Sequence, residues 1–267
     1  MASERDFLLA RLWGPMASWG QIAVGEQRQT WTRPSRSSVL GLIAAALGYE
    51  RTNQEAHAGL EQGLALAVRV DQPGRPLRDY HTVQSPQSQS NRRWQSRYDE
   101  IRNARKLNTI LSERSYLTEA GSTVALWHRP NSIAPALATI AEKLARPTFA
   151  LYLGRKASPL GMPLHPFVVR APGLAHAYGA FDDDAAARHE RLAGNGKWLV
   201  LEPPPRTVSA IWLSRDDVET SSPHHTDVGA FQPRTYTRRR DGIRDRRTWT
   251  FDGREEVLVS FEKDDNS

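Results

Sequence analysis

Cysteine is absent from the 267 residues of this sequence. Without thiols the chain can form neither a disulfide nor a thiolate metal site, and it suits a reducing cytoplasm. The sequence also lacks an apolar run of about 18 residues, the length that a membrane-spanning helix needs. The N-terminal MASERDF is charged and does not resemble a signal peptide. We therefore expect a cytoplasmic protein without a membrane contact.

Several catalytic signatures are missing as well. No GxxxxGK[ST] motif is present, which argues against a nucleoside triphosphatase, and no GxSxG nucleophile elbow is present either. His224 and His225 are adjacent, so they point apart on any regular element, and no carboxylate–histidine pattern frames them. We expect no metal and no cofactor.

Positive charge is in excess. Lys and Arg number 36 against 30 Asp and Glu, for a formal net charge of +6. This balance favours a polyanionic partner, with RNA or DNA ahead of a membrane surface, although an inert basic surface would have the same net charge. The hydrophobic content of 39% is ordinary for a globular chain.

Hydrophobic patterns predict a mixed fold. Strands are expected at 6–13, 64–71 and 122–128, and helices at 35–47, 53–62 and 132–145. In this interpretation Ser35 or Ser37 caps the first long helix, Gly48 ends it, and Ser132 caps the last. The segment from Phe149 begins like a fourth strand. These elements predict an α+β fold with a βαββαβ ferredoxin-like core of the RNA-recognition (RRM) type.

The rest of the chain divides into an insertion and a C-terminal region. About 82–121 is polar, and within 91–114 seven basic residues face three acids, with Trp94 and Tyr98 among them. So long a polar insertion is usually functional or disordered. We predict a domain over 1–170 that contains this insertion, and a smaller β-rich region over 171–267. In the latter, the acidic run from Asp182 indicates a loop, and Asp252-Gly253 indicates a hairpin turn.

Four short motifs are candidates for binding. GPMASWGQ at 14–21 offers glycines for close backbone approach and Trp19 for stacking on a base, although a tryptophan packed in the core is equally compatible. RPSRSS places Arg33 and Arg36 at a helix start, where an anion would offset the opposition between their charge and the helix dipole. In YLGRKASPL a glycine precedes Arg155 and Lys156, as in a phosphate-gripping turn. The pair Tyr80-His81 in LRDYHTV is a weak acid–base signal.

A fifth motif is rich in arginine. RTYTRRRDGIRDRR at 234–247 contains seven arginines against two aspartates. A solvated loop is the default interpretation, and a second nucleic-acid or protein-docking patch is an alternative.

The ordered set GPMASWGQ, RPSRSSVLGLIAAALG, LRDYHTV, TVALW and YLGRKASPL resembles the CasD family over about residues 7–165. Members of that family bind the crRNA 5′ handle in Cascade, the type I-E CRISPR surveillance complex. The resemblance implies a ferredoxin-like core with a long hairpin, or thumb, at the polar insertion. It also implies binding to the 5′ handle, contacts with the CasC backbone and CasA large subunits, and action on target DNA only through the whole complex.

The resemblance and the motifs together give a set of expected RNA-binding residues. They are Ser18, Trp19, Gly20, Gln21, Arg28, Arg33, Ser35, Arg36, Tyr80, His81, Arg92, Arg93, Trp94, Arg97, Tyr98, Arg105, Gly154, Arg155, Lys156 and Ser158. No catalytic residue is expected, because guide cleavage in Cascade belongs to another subunit, CasE. The alternative is a metal-independent endoribonuclease, as in related subtype I-C proteins, for which Tyr80, His81 and Lys156 are the nearest candidates.

Overall fold

The computed structural model describes residues 4–21, 25–87, 93–104, 106–194, 210–221, 231–245 and 250–261. The strands are β1 (Arg5–Trp13), β2 (Met16–Ala17), β3 (Trp19–Gly20), β4 (Gln27–Arg28), β5 (Thr30–Trp31), β6 (Leu64–Gln72), β7 (Arg75–Pro86), β8 (Leu107–Thr118), β9 (Gly121–His128), β10 (Phe167–Ala171), β11 (Ala210–Ser214), β12 (Phe231–Asp245) and β13 (Thr250–Phe261). The helices are α1 (Arg36–Leu47), α2 (Gln54–Gly63), α3 (Arg97–Asn103), α4 (Leu137–Ala145), α5 (Leu174–Gly194) and α6 (Arg215–Ser221).

Seven strands form one sheet in the order β10-β1-β9-β6-β11-β13-β12, and every neighbouring pair is antiparallel. The predicted mixture of helices with β-structure is therefore confirmed. The middle strands β1, β9 and β6 are buried along most of their length, which explains their nearly continuous apolar sequences.

Each face of the sheet carries its own core, because successive side chains of a strand point to opposite faces. On one face Leu8 packs with residues of α1 and α4 such as Ile43 and Ile140. On the other face Phe7 and Leu9 pack with residues of α5, including Phe181. The sheet therefore lies between two layers of helix.

Local signals placed α1 correctly, and they placed the end of α4 correctly but not its start. Ser35 is the N-cap of α1, and its side chain accepts a hydrogen bond from the Ser38 amide. The predicted helix 132–145 begins only at Leu137. The Ser132 hydroxyl instead accepts from the Ala134 amide in a local turn, and Pro135 disfavours a helical conformation in the residue before it.

The C-terminal third, for which we predicted a smaller β-rich region, is continuous with the sheet of the preceding residues. Its strands β11, β13 and β12 continue the sheet from β6, and Ile211 and Val257 lie in the same core as Phe7. The described part of the β-rich region also contains two helices, and one of them, α5, includes the acidic run that we assigned to a loop. Two further predictions were wrong: the segment from Phe149 forms no strand before β10, and Gly253 lies within β13.

Two carboxylates of that acidic run fasten α5 to the rest of the molecule. Asp182 accepts two hydrogen bonds from the buried Arg69 guanidinium, at 2.7 and 2.9 Å. Asp184 Oδ2 lies 2.7 Å from His165 Nε2, and Arg188 donates to His165 Nδ1. Burial lowers the pKa of His165 below its usual range, which favours the neutral imidazole.

A buried ion-pair network joins the start of α1 to α6. The Arg36 guanidinium donates to Glu61 Oε1 at 2.9 Å, to Asp217 Oδ2 at 3.3 Å and to the Leu64 carbonyl at 2.5 Å. Asp217 is fully buried, and it also accepts from Arg129 and from the Leu66 amide. The C-terminal third is thus held to the first helix by charge as well as by apolar packing.

We predict that Arg36→Ala lowers the free energy of unfolding by about 3–5 kcal/mol, because it leaves buried acceptors without their donor. Chemical denaturation monitored by circular dichroism measures the change. The matched control is Arg146→Ala at the exposed end of α4, which should stay within about 0.5 kcal/mol of the original protein. Equal stability of the two variants would contradict the role given to the network.

Candidate nucleic-acid interface

Two of the sequence motifs meet in space beside the hairpin formed by β7 and β8. The Ser18 amide in the opening loop donates to the Leu153 carbonyl at 3.0 Å, and the Ser18 hydroxyl donates to the Ser115 carbonyl at 3.0 Å. The loop at 14–21 and the turn at 152–159 are therefore docked together against the base of β8.

Short backbone contacts close the turn around Gly154. Tyr152 and Pro159 form an isolated bridge, and the Leu153 amide donates to the Ser158 carbonyl at 2.7 Å. Gly154 has φ +85°, and a Cβ at this position would overlap the carbonyl oxygen of Ser18. Glycine is therefore required here both by the backbone conformation and by the close approach of the opening loop.

Arg155 is held in place by backbone oxygens and an aromatic ring. Its guanidinium donates to the Arg28 carbonyl at 3.0 Å and to the Ser115 carbonyl at 3.4 Å. It also lies over the ring of Tyr116, 4.9 Å from the centroid. None of these partners carries a negative charge, so they leave the positive charge of Arg155 uncompensated.

Three other cations lie in the segments that surround Arg155. Lys156 follows it in the exposed turn, and Arg28 pairs with Arg114 in the parallel register of β4 and β8. We call Arg28, Arg114, Arg155 and Lys156 the basic patch. Across the described residues, no carboxylate forms an ion pair with any of the four. A guanidinium held like that of Arg155 suits phosphate groups, to which it binds by charge-assisted hydrogen bonds.

Our prediction of a phosphate site at the start of α1 was wrong. Arg33 is buried, it bonds to the Glu256 carboxylate, and its guanidinium lies 3.6 Å from the centroid of the Trp212 ring. Arg36 is only 2% exposed and is engaged by Glu61 and Asp217. The anions that offset these charges are the protein's own carboxylates, so neither guanidinium is available to a ligand.

The small and aromatic residues of the motifs differ in whether they are buried or exposed. Trp19 is 4% exposed and belongs to the core, which decides between its two interpretations. Ser35 serves as the helix cap, and Ser158 is fully buried within its turn, so neither presents a surface to RNA. Gly20 is exposed, and the Gln21 side chain lies beside it, 3.5 Å from the Thr30 carbonyl.

The insertion is an extended hairpin that starts earlier than predicted, with β7 and β8 paired from Arg75↔Thr118 to Pro86↔Leu107. Arg93 and Tyr98 are exposed and Trp94 is half-buried; Arg97 bonds to Glu100 and to the Gln84 carbonyl. Two predicted binding residues, Arg92 and Arg105, lie outside the described residues.

Tyr80 and His81 do not form a joint site. They are successive residues of β7, so their side chains point to opposite faces of the hairpin. Tyr80 is largely exposed, and His81 Nδ1 lies 2.9 Å from Asp79. The described residues contain no cluster of three His, Asp or Glu side chains that could hold a metal ion, and none of their helices has the length and apolar character to cross a membrane.

Sequence reasoning missed two members of the site, Arg114 and Tyr116. Arg114 was one of seven basic residues in the insertion, and nothing in its neighbourhood singled it out. The pairing of β4 with β8 and the docking of Arg155 place both residues in the site, because these contacts bring together residues far apart in the sequence.

Comparisons with known proteins find similarity to CRISPR-associated proteins. The family model for CRISPR-associated protein (Cas_Cas5) matches residues 7–247. The CRISPR system Cascade subunit CasD of Escherichia coli (strain K12) is 33% identical over 168 residues, which are 60% of this chain and 70% of that protein. A chain in a solved structure of a CRISPR RNA-guided surveillance complex has a TM-score of 0.55 and 27% identity, and the match covers 97% of this chain and 90% of that one. A crystal structure of a Cas protein has a TM-score of 0.49 and 23% identity, covering 95% of each chain.

We predict that Gly154→Ala disrupts the docking of the turn on the opening loop, at a cost of about 1–3 kcal/mol, because a Cβ there meets the Ser18 carbonyl and φ is positive. The control is Gly20→Ala, since a Cβ at Gly20 has open space around it. Thermal denaturation of both variants measures the difference. Equal melting temperatures for the two would show that the turn tolerates a side chain.

Proposed function

The chain belongs to the Cas5 family of CRISPR-associated proteins, and on that premise we propose that it is the RNA-binding subunit of a type I-E surveillance complex. In this role it grips the 5′ handle of the crRNA and caps the backbone subunits during antiviral DNA targeting. The observation that carries the proposal is the basic patch, whose four cations have no carboxylate partner among the described residues.

The geometry of the patch suggests how the strand is held. Arg155 is fixed by two carbonyls and a tyrosine ring, so little side-chain entropy is lost when a phosphate binds to it. Arg28 and Lys156 are exposed and can follow the phosphates on either side. Such contacts position a strand without reading its bases. In the assembled complex the guide sequence is read by base pairing with the target.

We also infer that the core is ferredoxin-like. In chain order β1, β6, β9 and β10 are the first to fourth strands, and their spatial order β10-β1-β9-β6 is the 4-1-3-2 arrangement of that fold. Helix α1 follows the first strand, helix α4 follows the third, and the two pack on one face of the sheet. The domain proposed for residues 1–170 is therefore this core with its insertion, extended by the C-terminal strands.

The hairpin of β7 and β8 is proposed as the thumb and as an assembly element. It buries few apolar side chains of its own; Tyr80 and Ile110 are exposed on its strands, and Tyr98 and Ile101 are exposed on α3, which lies between them in the chain. Exposed aromatic and aliphatic residues of this kind suit a contact with other protein subunits. We assign them to the neighbouring CasC and CasA subunits of a cytoplasmic ribonucleoprotein, through which the chain acts on target DNA.

The proposed role is not enzymatic. Cleavage of RNA without a metal needs a general base, an acid and a cation around one phosphate. Tyr80 and His81 point to opposite faces of β7, and Lys156 lies in the separate turn after Gly154. The basic patch is sufficient for static phosphate contacts, which need no proton transfer.

We predict that the double variant Arg28→Ala/Lys156→Ala binds handle-bearing RNA more weakly and with a weaker dependence on salt. Each phosphate contact to a single strand contributes about −0.7 to the slope of log K against log salt, so losing two should flatten the slope by about 1.4. Fluorescence anisotropy with a labelled RNA that carries the repeat-derived 5′ sequence gives both quantities.

The control for this experiment is Lys143→Ala/Arg146→Ala, which removes the same charge from the end of α4. It should retain the affinity and slope of the original protein. Arg33 and Arg36 are avoided because their replacement would test folding rather than binding. An unchanged slope in the patch variant, or the same change in the control, would remove the basic patch from the RNA site.

We predict that the purified protein gives no discrete product when incubated with repeat RNA in EDTA. His81→Ala should leave guide production unaffected, because the neighbour of the imidazole on its face of β7 is Asp79, while Tyr80 points to the opposite face and Lys156 lies in a separate turn. Denaturing gel electrophoresis of end-labelled RNA reports on cleavage. A site-specific product that disappears in His81→Ala would make the protein an endoribonuclease.

A further inference from the structure

The arginine-rich strand β12 has an outer face that the proposed function does not use. Of its arginines, Arg239 points inward, where it lies over Trp31 and donates to the carbonyls of Arg33 and Pro34. Its neighbours Arg238 and Arg240 are exposed, as is Tyr236. Arg239 therefore holds the strand to the start of α1, and the alternation of a strand turns the other three to the opposite face.

The register with β13 fixes the surroundings of these three side chains. Tyr236, Arg238 and Arg240 pair in register with Val257, Glu255 and Gly253, and this stretch contains no bulge. Residues two apart on a strand are about 7 Å apart, so the three side chains form an evenly spaced row. Tyr236 is 59% exposed at one end of the row.

Within the described ranges, no carboxylate neutralises the charges in this row. Glu255, the acidic residue opposite Arg238, forms an ion pair with Arg215 at 2.9 Å. The Arg238 guanidinium lies against Gly253, where a Cβ would come within 2.6 Å of its Nε. Among the described parts of the chain, neither Arg238 nor Arg240 has an ion-pair partner. Gly253, which we expected in a hairpin turn, instead leaves room for an arginine.

We propose that Tyr236, Arg238 and Arg240 form a second nucleic-acid-binding surface, which binds a single strand. The two guanidiniums bind successive phosphates, and the tyrosine ring stacks on an unpaired base. The surface shares no residue with the basic patch, and it faces away from the side of β12 that contacts α1. It therefore serves a strand other than the segment held by the basic patch.

The composition of this face favours nucleic acid over protein. Among the described residues of β12 and β13, Tyr236 is the exposed large hydrophobic side chain, so the face lacks the apolar centre typical of a protein interface. Unpaired arginines beside an exposed aromatic ring match the composition of single-strand sites. A phosphate backbone therefore complements the charge of this face.

The test uses the full chain and a fluorescein-labelled single-stranded DNA of mixed sequence without the handle. Arg238→Ala/Arg240→Ala should flatten the salt slope of binding by about 1.4 and weaken binding at least several-fold at low salt. Lys143→Ala/Arg146→Ala is the charge-matched control and should bind as the original protein does. Arg238→Lys/Arg240→Lys should retain the slope, and thermal melts confirm that each variant is folded. Tyr236→Ala should weaken binding to the single strand and leave binding to a duplex of the same sequence unchanged.

The outcomes separate this surface from the proposed handle site. Handle-bearing RNA already bound at the basic patch should not displace the DNA, and Arg28→Ala/Lys156→Ala should leave DNA binding intact. A labelled RNA without the handle, run in parallel, tells whether the surface distinguishes the two sugars. An unchanged slope in Arg238→Ala/Arg240→Ala would overturn the proposal. So would loss of a co-purifying protein subunit from that variant with nucleic-acid binding unaltered.

Discussion

The burial of Arg36 against Asp217 is the constraint on which the rest of the structure depends. A guanidinium at the first position of α1 opposes the helix dipole, and it lies in the interior, so carboxylates must be brought to it. Glu61 of α2 and Asp217 of α6 supply them. The fold must therefore return from the far end of the chain to the start of its first long helix.

Arg33 and Arg239 make a second set of contacts between the C-terminal strands and the residues just before α1. Arg33 lies between the Trp212 ring and Glu256, while Arg239 covers Trp31. These contacts distinguish two groups of guanidinium. Arg33 and Arg36, which have carboxylate partners, hold the C-terminal strands to α1, whereas Arg155, which is held by carbonyls and a ring, is available to a ligand. Net charge does not distinguish the groups, but the partner of each guanidinium does.

Much of the core was predictable because its signals are local. The apolar runs of β1, β6 and β9 and the capped, apolar helix α1 were placed within one or two residues. Two of the wrong predictions have a different cause. The role of Arg33 depends on Glu256, more than two hundred residues away, and the acidic run at Asp182 became helical where Arg69 could pair with it. A window of sequence contains the residue but not its distant partner.

The way in which Arg155 is held has a consequence for how the site can vary. Its guanidinium and the Ser18 hydroxyl both donate to the Ser115 carbonyl, and the other oxygen that Arg155 uses is the Arg28 carbonyl. Both acceptors belong to the main chain, which every amino acid supplies. The side chains at positions 28 and 115 are thus separable from the scaffold that orients Arg155. Substitutions at positions 28 and 115 can therefore change the charge and shape of the surface around Arg155 while its guanidinium keeps its position.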